Sequence, residues 1–105
     1  MEMTVLERLV LLNILPKEGN FTTLKLVRQL RESLSFDELE NKRLNFKQEG
    51  DQIMWNQSPE VNLPREIEVG EKMTDLIVEC LKELDKKEEL KEEQFTLYEK
   101  FVANE

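Results

Sequence analysis

Phe46-Lys47-Gln48-Glu49-Gly50-Asp51-Gln52-Ile53-Met54-Trp55 is the stretch on which the fold turns. Two short runs flank a two-residue loop with glycine first, the arrangement suited to a type II′ turn in a β-hairpin. That turn sets the register, with Phe46 opposite Trp55 and Gln48 opposite Ile53 on one face. An aromatic cross-strand pair contributes roughly 0.2–1 kcal/mol and fixes the pairing.

Upstream of the hairpin the pattern is helical. Ser35-x-x-Glu38 is a capping box, so a short third helix is expected there, anchored by Phe36, Leu39 and Leu44. Leu24, Val27, Leu30 and Leu34 recur at helical spacing and predict a second helix from Thr22 or Thr23 to about Leu34. Thr4-x-x-Glu7 caps a first helix whose run through Leu6, Leu9, Val10, Leu11, Leu12 and Ile14 is apolar almost all round. A helix with so little polar surface belongs in the middle of its domain. Pro16 stops it, and residues 17–20 make the turn. Three short helices followed by a hairpin is the order of a winged-helix domain, a framework used to read DNA.

Downstream, residues 56–64 are polar and loop-like, and the alternation Glu66-Ile67-Glu68-Val69 predicts a short third strand with Ile67 and Val69 inward. From Glu71 onward there is neither Gly nor Pro. Met73, Ile77, Cys80, Leu81 and Leu84 form one stripe; Asp85–Glu89 is wholly charged; Phe95, Tyr98 and Val102 then restart out of step, with Leu97 and Phe101 beside them. The break predicts an antiparallel pair turning near Lys86–Lys91. The expected architecture is α+β: a winged-helix-like set of three helices and a β-hairpin, then a C-terminal helical hairpin. It forms a single domain over 1–105, with helices and small sheet in 1–69 and an acidic helical pair in 70–105. That pair packs back or joins two copies.

Composition narrows the chemistry. At 39% apolar and 36% charged, the chain suits a compact helix-rich domain better than a disordered one. It has no histidine, which removes the commonest general base and the commonest zinc ligand. No Gly-rich phosphate loop, Ser/His/Asp set or cysteine cluster is present, so neither an enzyme nor a cofactor is expected. The single cysteine, Cys80, lies in an apolar stripe beside Glu79 and reads as a small buried hydrophobe. No apolar run approaches the roughly 20 residues that span a bilayer, so a cytoplasmic location with no membrane contact is expected.

The net charge of −8 is unevenly placed. Residues 1–50 hold eight Lys/Arg against eight Asp/Glu, whereas residues 51–105 hold seven against fifteen. The predicted third helix carries Asp37, Glu38 and Glu40 where a phosphate-facing surface would be basic, and the hairpin tip is Glu49-Gly50-Asp51. A duplex would be repelled by both.

The run Glu7-Arg8-Leu9-Val10-Leu11-Leu12-Asn13-Ile14-Leu15-Pro16-Lys17-Glu18-Gly19-Asn20-Phe21-Thr22-Thr23-Leu24-Lys25, with the closing Leu97-Tyr98-Glu99-Lys100-Phe101, resembles small uncharacterised proteins of tailed phages and prophages. The resemblance implies a phage-encoded protein acting in an infected bacterium, and it carries no catalytic motif.

Three features are candidate contact sites. Glu71, Asp75, Glu79 and Glu83 recur every four residues and form an acidic ridge. Like charges at that spacing cost about 0.2–0.5 kcal/mol per pair, and the row reads either as a surface for a basic protein or as a solvated face eased by Lys72, Lys82 and Lys86. Lys25, Arg28 and Arg31 form a modest basic face on the second helix, again solvated unless it meets phosphates or an acidic partner. Trp55 is core filler or an interface anchor. The expectation is a non-enzymatic protein-binding module, a phage-encoded regulator or inhibitor of a host system, meeting a host or phage protein with a basic surface through the ridge. The alternatives are a nucleic-acid-binding winged-helix-like regulator and a virion or assembly component. A homodimer through the C-terminal helices is a further possibility.

Overall fold

The computed structural model describes residues 1–103. Helix α1 (Val5–Ile14) opens with the expected capping box: the Thr4 hydroxyl accepts from the Glu7 N–H at 3.1 Å, and the Glu7 carboxylate accepts from the Thr4 N–H at 2.9 Å. The helix is not enclosed on every side as its apolar run suggested: Leu6 stays 42% exposed and Leu9, Leu12 and Ile14 are half-buried, while Val5, Val10 and Leu11 are buried. Glu7 and Arg8 are buried with them, which the apolar reading of this helix did not anticipate.

Helix α2 (Phe21–Leu34) begins slightly earlier than Thr22, because Asn20 rather than a threonine caps it, accepting from the Thr23 N–H at 2.8 Å. Val27, Leu30 and Leu34 are buried as expected, but Leu24 stays 39% exposed at the flank of the stripe. Helix α3 (Glu38–Leu44) is capped by Asp37 and Glu40 instead of Ser35 and Glu38. Ser35 ends α2, its hydroxyl donating back to the Glu32 carbonyl at 2.8 Å, so it is not free to start the next helix. The shift turns Leu39 outward, 56% exposed, while Leu44 is buried. Asn45 then closes α3 in the left-handed region at φ 50°.

Strands β2 (Lys47–Glu49) and β3 (Gln52–Met54) form the expected hairpin, pairing Lys47 with Met54 and Gln48 with Ile53. Gly50 adopts φ +62° and Asp51 does not, as a type II′ turn requires. One step beyond the ladder, the Phe46 and Trp55 rings meet at 6.2 Å between centroids.

The third strand is shorter than its alternation suggested and pairs elsewhere. Residues 65–66 (β4) lie antiparallel to residues 2–3 (β1), in a sheet separate from the hairpin. Met3 and Ile67 are both buried at this junction, and the Ile67 N–H donates to the Met1 carbonyl at 2.8 Å. Burying those two side chains draws the start of the chain onto this segment. Val69 packs half-buried against the core.

Helix α4 (Glu71–Lys86) buries Ile77, Val78 and Leu81. The turn falls where the charged run predicted it. A 3-10 turn (Glu92–Gln94), one α-helical turn α5 (Phe95–Tyr98) and a π-helical turn (Glu99–Ala103) follow. This segment packs in cis against α1 and α4, with Leu97 and Phe101 in the core and Phe95 61% exposed. The stripe therefore runs through Leu97 and Phe101 rather than through Phe95. The fold is α+β, with a C-terminal helical segment.

Candidate functional site

Arg8 explains how α1, α2 and α3 hold their angles. Its guanidinium is wholly buried, with Nε donating to the Leu34 carbonyl at 3.1 Å and Nη2 to the Ser35 carbonyl at 2.7 Å. These are carbonyls at the C-terminal end of α2, where a cation is favoured by the helix dipole. Nη1 donates to Glu40 at 2.7 Å, and the guanidinium stacks on the Phe36 ring at 3.9 Å. Phe36 meets Phe46 edge-on at 4.9 Å, and Phe46 meets Trp55, so an aromatic chain joins the buried arginine to the hairpin.

Glu40 also accepts from Arg65 at 2.6 Å. Burial pushes its carboxyl upward, but the hydrogen bond from Arg8, the Asp37 N–H and the charges of Arg8 and Arg65 outweigh that and hold it below the ordinary value. Asp37 lies 3.8 Å from Arg65 as well. Two of the three carboxylates expected on the presented face of α3 are thus engaged by arginine, and that face is less negative than its sequence implies. Glu38 remains exposed, as do Glu49 and Asp51 at the hairpin tip.

The acidic ridge is where its spacing put it. Glu71, Asp75, Glu79 and Glu83 are all exposed along α4, opposite its buried stripe. Glu83 pairs with Lys87 at 3.4 Å, a contact the neighbouring lysines of the sequence did not suggest. Ile77, Val78 and Leu81 point into the core and no apolar residue of α4 is exposed, although Glu83 borders a groove of about 720 Å³ with the half-buried Cys80 and Leu84.

The basic face of α2 is more than a solvated edge. Lys25, Arg28 and Arg31 line a groove of about 600 Å³ together with Lys17, and among the described residues no carboxylate lines it. Phe21 and Leu24 contribute apolar surface, 82% and 39% exposed. Phe21 was missed because it precedes the periodic run; its position directly after the Asn20 cap makes it the first residue of the helix and turns it outward.

Trp55 is half-buried, and its Nε1 donates to Asn62 Oδ1 at 3.1 Å, which ties down the following loop. It lines a smaller groove with Leu6, Leu9, Ile53 and Met54 between α1 and the hairpin. Cys80 is half-buried, and burial together with the Glu79 charge pushes its thiol upward, away from the reactive thiolate. Among the described residues no group of three or more His, Cys, Asp or Glu is arranged to hold a metal ion, and no helix is long and apolar enough to cross a membrane.

No protein-family model matches the chain, and comparisons with curated proteins and with solved structures find no significant match.

Proposed function

We propose that this chain is a non-enzymatic protein-binding module, and that in the setting implied by its likeness to small phage proteins it regulates or inhibits a host system. The observation that carries the reading is the groove on α2. An outward phenylalanine and a half-exposed leucine beside four cations make a surface with both an apolar and an electrostatic component. Protein interfaces draw affinity from buried aromatic and aliphatic anchors and orientation from charge. The acidic ridge of α4 supplies only the second of these, so the α2 groove takes precedence over it as the principal contact.

A second reading, nucleic-acid binding, is favoured by the lack of any carboxylate among the described residues that line that groove. Against it stand the net charge of −8 and the exposed Glu49 and Asp51 at the tip of the wing, which would face a duplex in a winged-helix mode.

Affinity purification from the native host, with and without nuclease, separates the readings. The expected result is a nuclease-resistant protein partner, lost with Phe21→Ser and weakened by salt, since exposed charges are screened within about 8 Å at physiological ionic strength. A partner lost instead with Asp75→Lys and Glu79→Lys assigns the contact to the α4 ridge. Nuclease-sensitive recovery, or a clean blank, overturns the proposal.

A further inference from the structure

The outward face of α2 repeats at helix-packing intervals. Phe21, Leu24, Arg28 and Arg31 lie three, four and three residues apart, the spacing at which one helix meets another. At about 1.5 Å rise per residue the row is about 15 Å long, two to three turns of a partner helix. Val27, Leu30 and Leu34 on the other side already bury α2 in its own core, so this row is additional to what the fold needs.

The row is bordered by further cations. Lys17 comes from the loop after α1, and Lys25 lies one turn on from Phe21. We infer that this groove receives an amphipathic acidic helix of a partner protein, with apolar residues seated on Phe21 and Leu24 and carboxylates facing Arg28 and Arg31 further along the row and Lys17 and Lys25 at its border. The inference rests on the protein-binding reading above and specifies its ligand. Helix-in-groove recognition uses such a combination of apolar anchors and flanking charge.

Two other occupants fit less well. A second copy could offer its own row of carboxylates on α4, but the apolar residues of that helix are buried or half-buried and none is exposed, so it brings charge without an outward anchor. A nucleic acid would use the cations and leave Leu24 without a counterpart, and it would approach a chain of net charge −8.

The test uses the full chain and a labelled synthetic amphipathic peptide with Leu and Phe on one face and Glu on its flanks. Versions with every Glu changed to Gln or to Lys and a mixed-sequence single-stranded oligonucleotide are the comparators. Binding is read by fluorescence anisotropy and by backbone amide shifts. Saturable binding with shifts at residues 17–31 is expected, weakened about tenfold or more in the Gln peptide and by Arg28→Glu with Arg31→Glu. The Lys peptide should bind that doubly reversed protein better than it binds the natural one. Phe21→Ser, at a site 82% exposed, leaves the fold intact by circular dichroism and lowers affinity for the Glu peptide.

Equal binding of the Gln and Glu peptides overturns the acidic ligand while leaving a protein-binding groove. Tighter binding of the oligonucleotide at the same residues overturns both. Self-association in sedimentation that Phe21→Ser abolishes gives the groove to a second copy and overturns the inference. The absence of shifts at 17–31 overturns it too, and co-purification from the host then judges the broader reading by itself.

Discussion

Replacing Arg8 with alanine strips the Leu34 and Ser35 carbonyls and the Glu40 carboxylate of their common donor in one step. Removing one partner of a buried pair costs about 3–5 kcal/mol, a large share of the roughly 5–15 kcal/mol that holds a small domain together. Arg8→Ala is therefore expected to be largely unfolded or to lose most of its urea midpoint. Arg8→Lys should recover little, because one ammonium cannot reach two carbonyls and a carboxylate while lying flat on Phe36. Arg8 was legible in principle: it is the only cation in the apolar run 5–15, and a charge in a central helix must be paired. What the sequence could not supply was the partner, 32 residues away at Glu40.

Glu7, the preceding residue of the same helix, shows the same logic. It is 2% exposed and accepts from Lys100 at 2.7 Å, which fastens the C-terminal segment to the start of α1. Its second oxygen, Oε2, is buried and has no hydrogen-bond partner among the described residues. Burial raises this carboxyl, but Lys100, the Thr4 N–H and Thr96 together hold it below the ordinary 4.5. Glu40 is lowered likewise. Groups depressed in the fold stabilise it fully above the unfolded value and lose that contribution as pH falls through the folded one. Unfolding midpoints should therefore fall as the pH drops below about 4.5, the unfolded carboxyl value. In Glu40→Gln the acid limb should be shallower and the neutral-pH midpoint lower; an acid limb unchanged by this substitution contradicts the assignment.

At the scale of elements, the end of α4 shows where residue patterns run out. The helix closes in a Schellman motif: the Glu88 N–H donates to the Asp85 carbonyl at 3.0 Å and the Glu89 N–H to the Leu84 carbonyl at 2.8 Å. The left-handed position is filled by Glu88 at φ 58° rather than by glycine. With no glycine to mark the stop, only the break in the apolar stripe gave the turn away. Glu88→Gly is expected to stabilise the protein by about 1 kcal/mol by relieving the Cβ clash, a gain readable as a higher urea midpoint. A loss of stability would mean that the left-handed turn is not what ends the helix. The hairpin was fully readable because its signals are local: Gly50 sets the turn and Phe46–Trp55 the register. The pairing of β1 with β4 was not, because strands of two residues carry no period and are joined by burial of Met3 and Ile67 across the whole first domain half.

At the scale of the whole molecule, charge is sorted by face as well as by position along the chain. The carboxylate excess lies in the C-terminal half and on the exposed side of α4, and the α2 groove gathers four cations around apolar surface. Lys25, Arg28 and Arg31 were visible in the sequence; Lys17, Phe21 and Leu24 joined them only through the turn at Pro16 and the Asn20 cap. Partner affinity should fall as salt rises, while Phe21→Ser lowers affinity without changing the salt slope, because it removes apolar contact and no charge.

The most direct measurement places a photo-crosslinking amino acid at position 24 in the α2 groove or at position 79 on the α4 ridge and irradiates cells of the native host. A protein adduct from position 24, with little from position 79, is the predicted result. Adducts to nucleic acid at position 24, or protein adducts from position 79 alone, would contradict it.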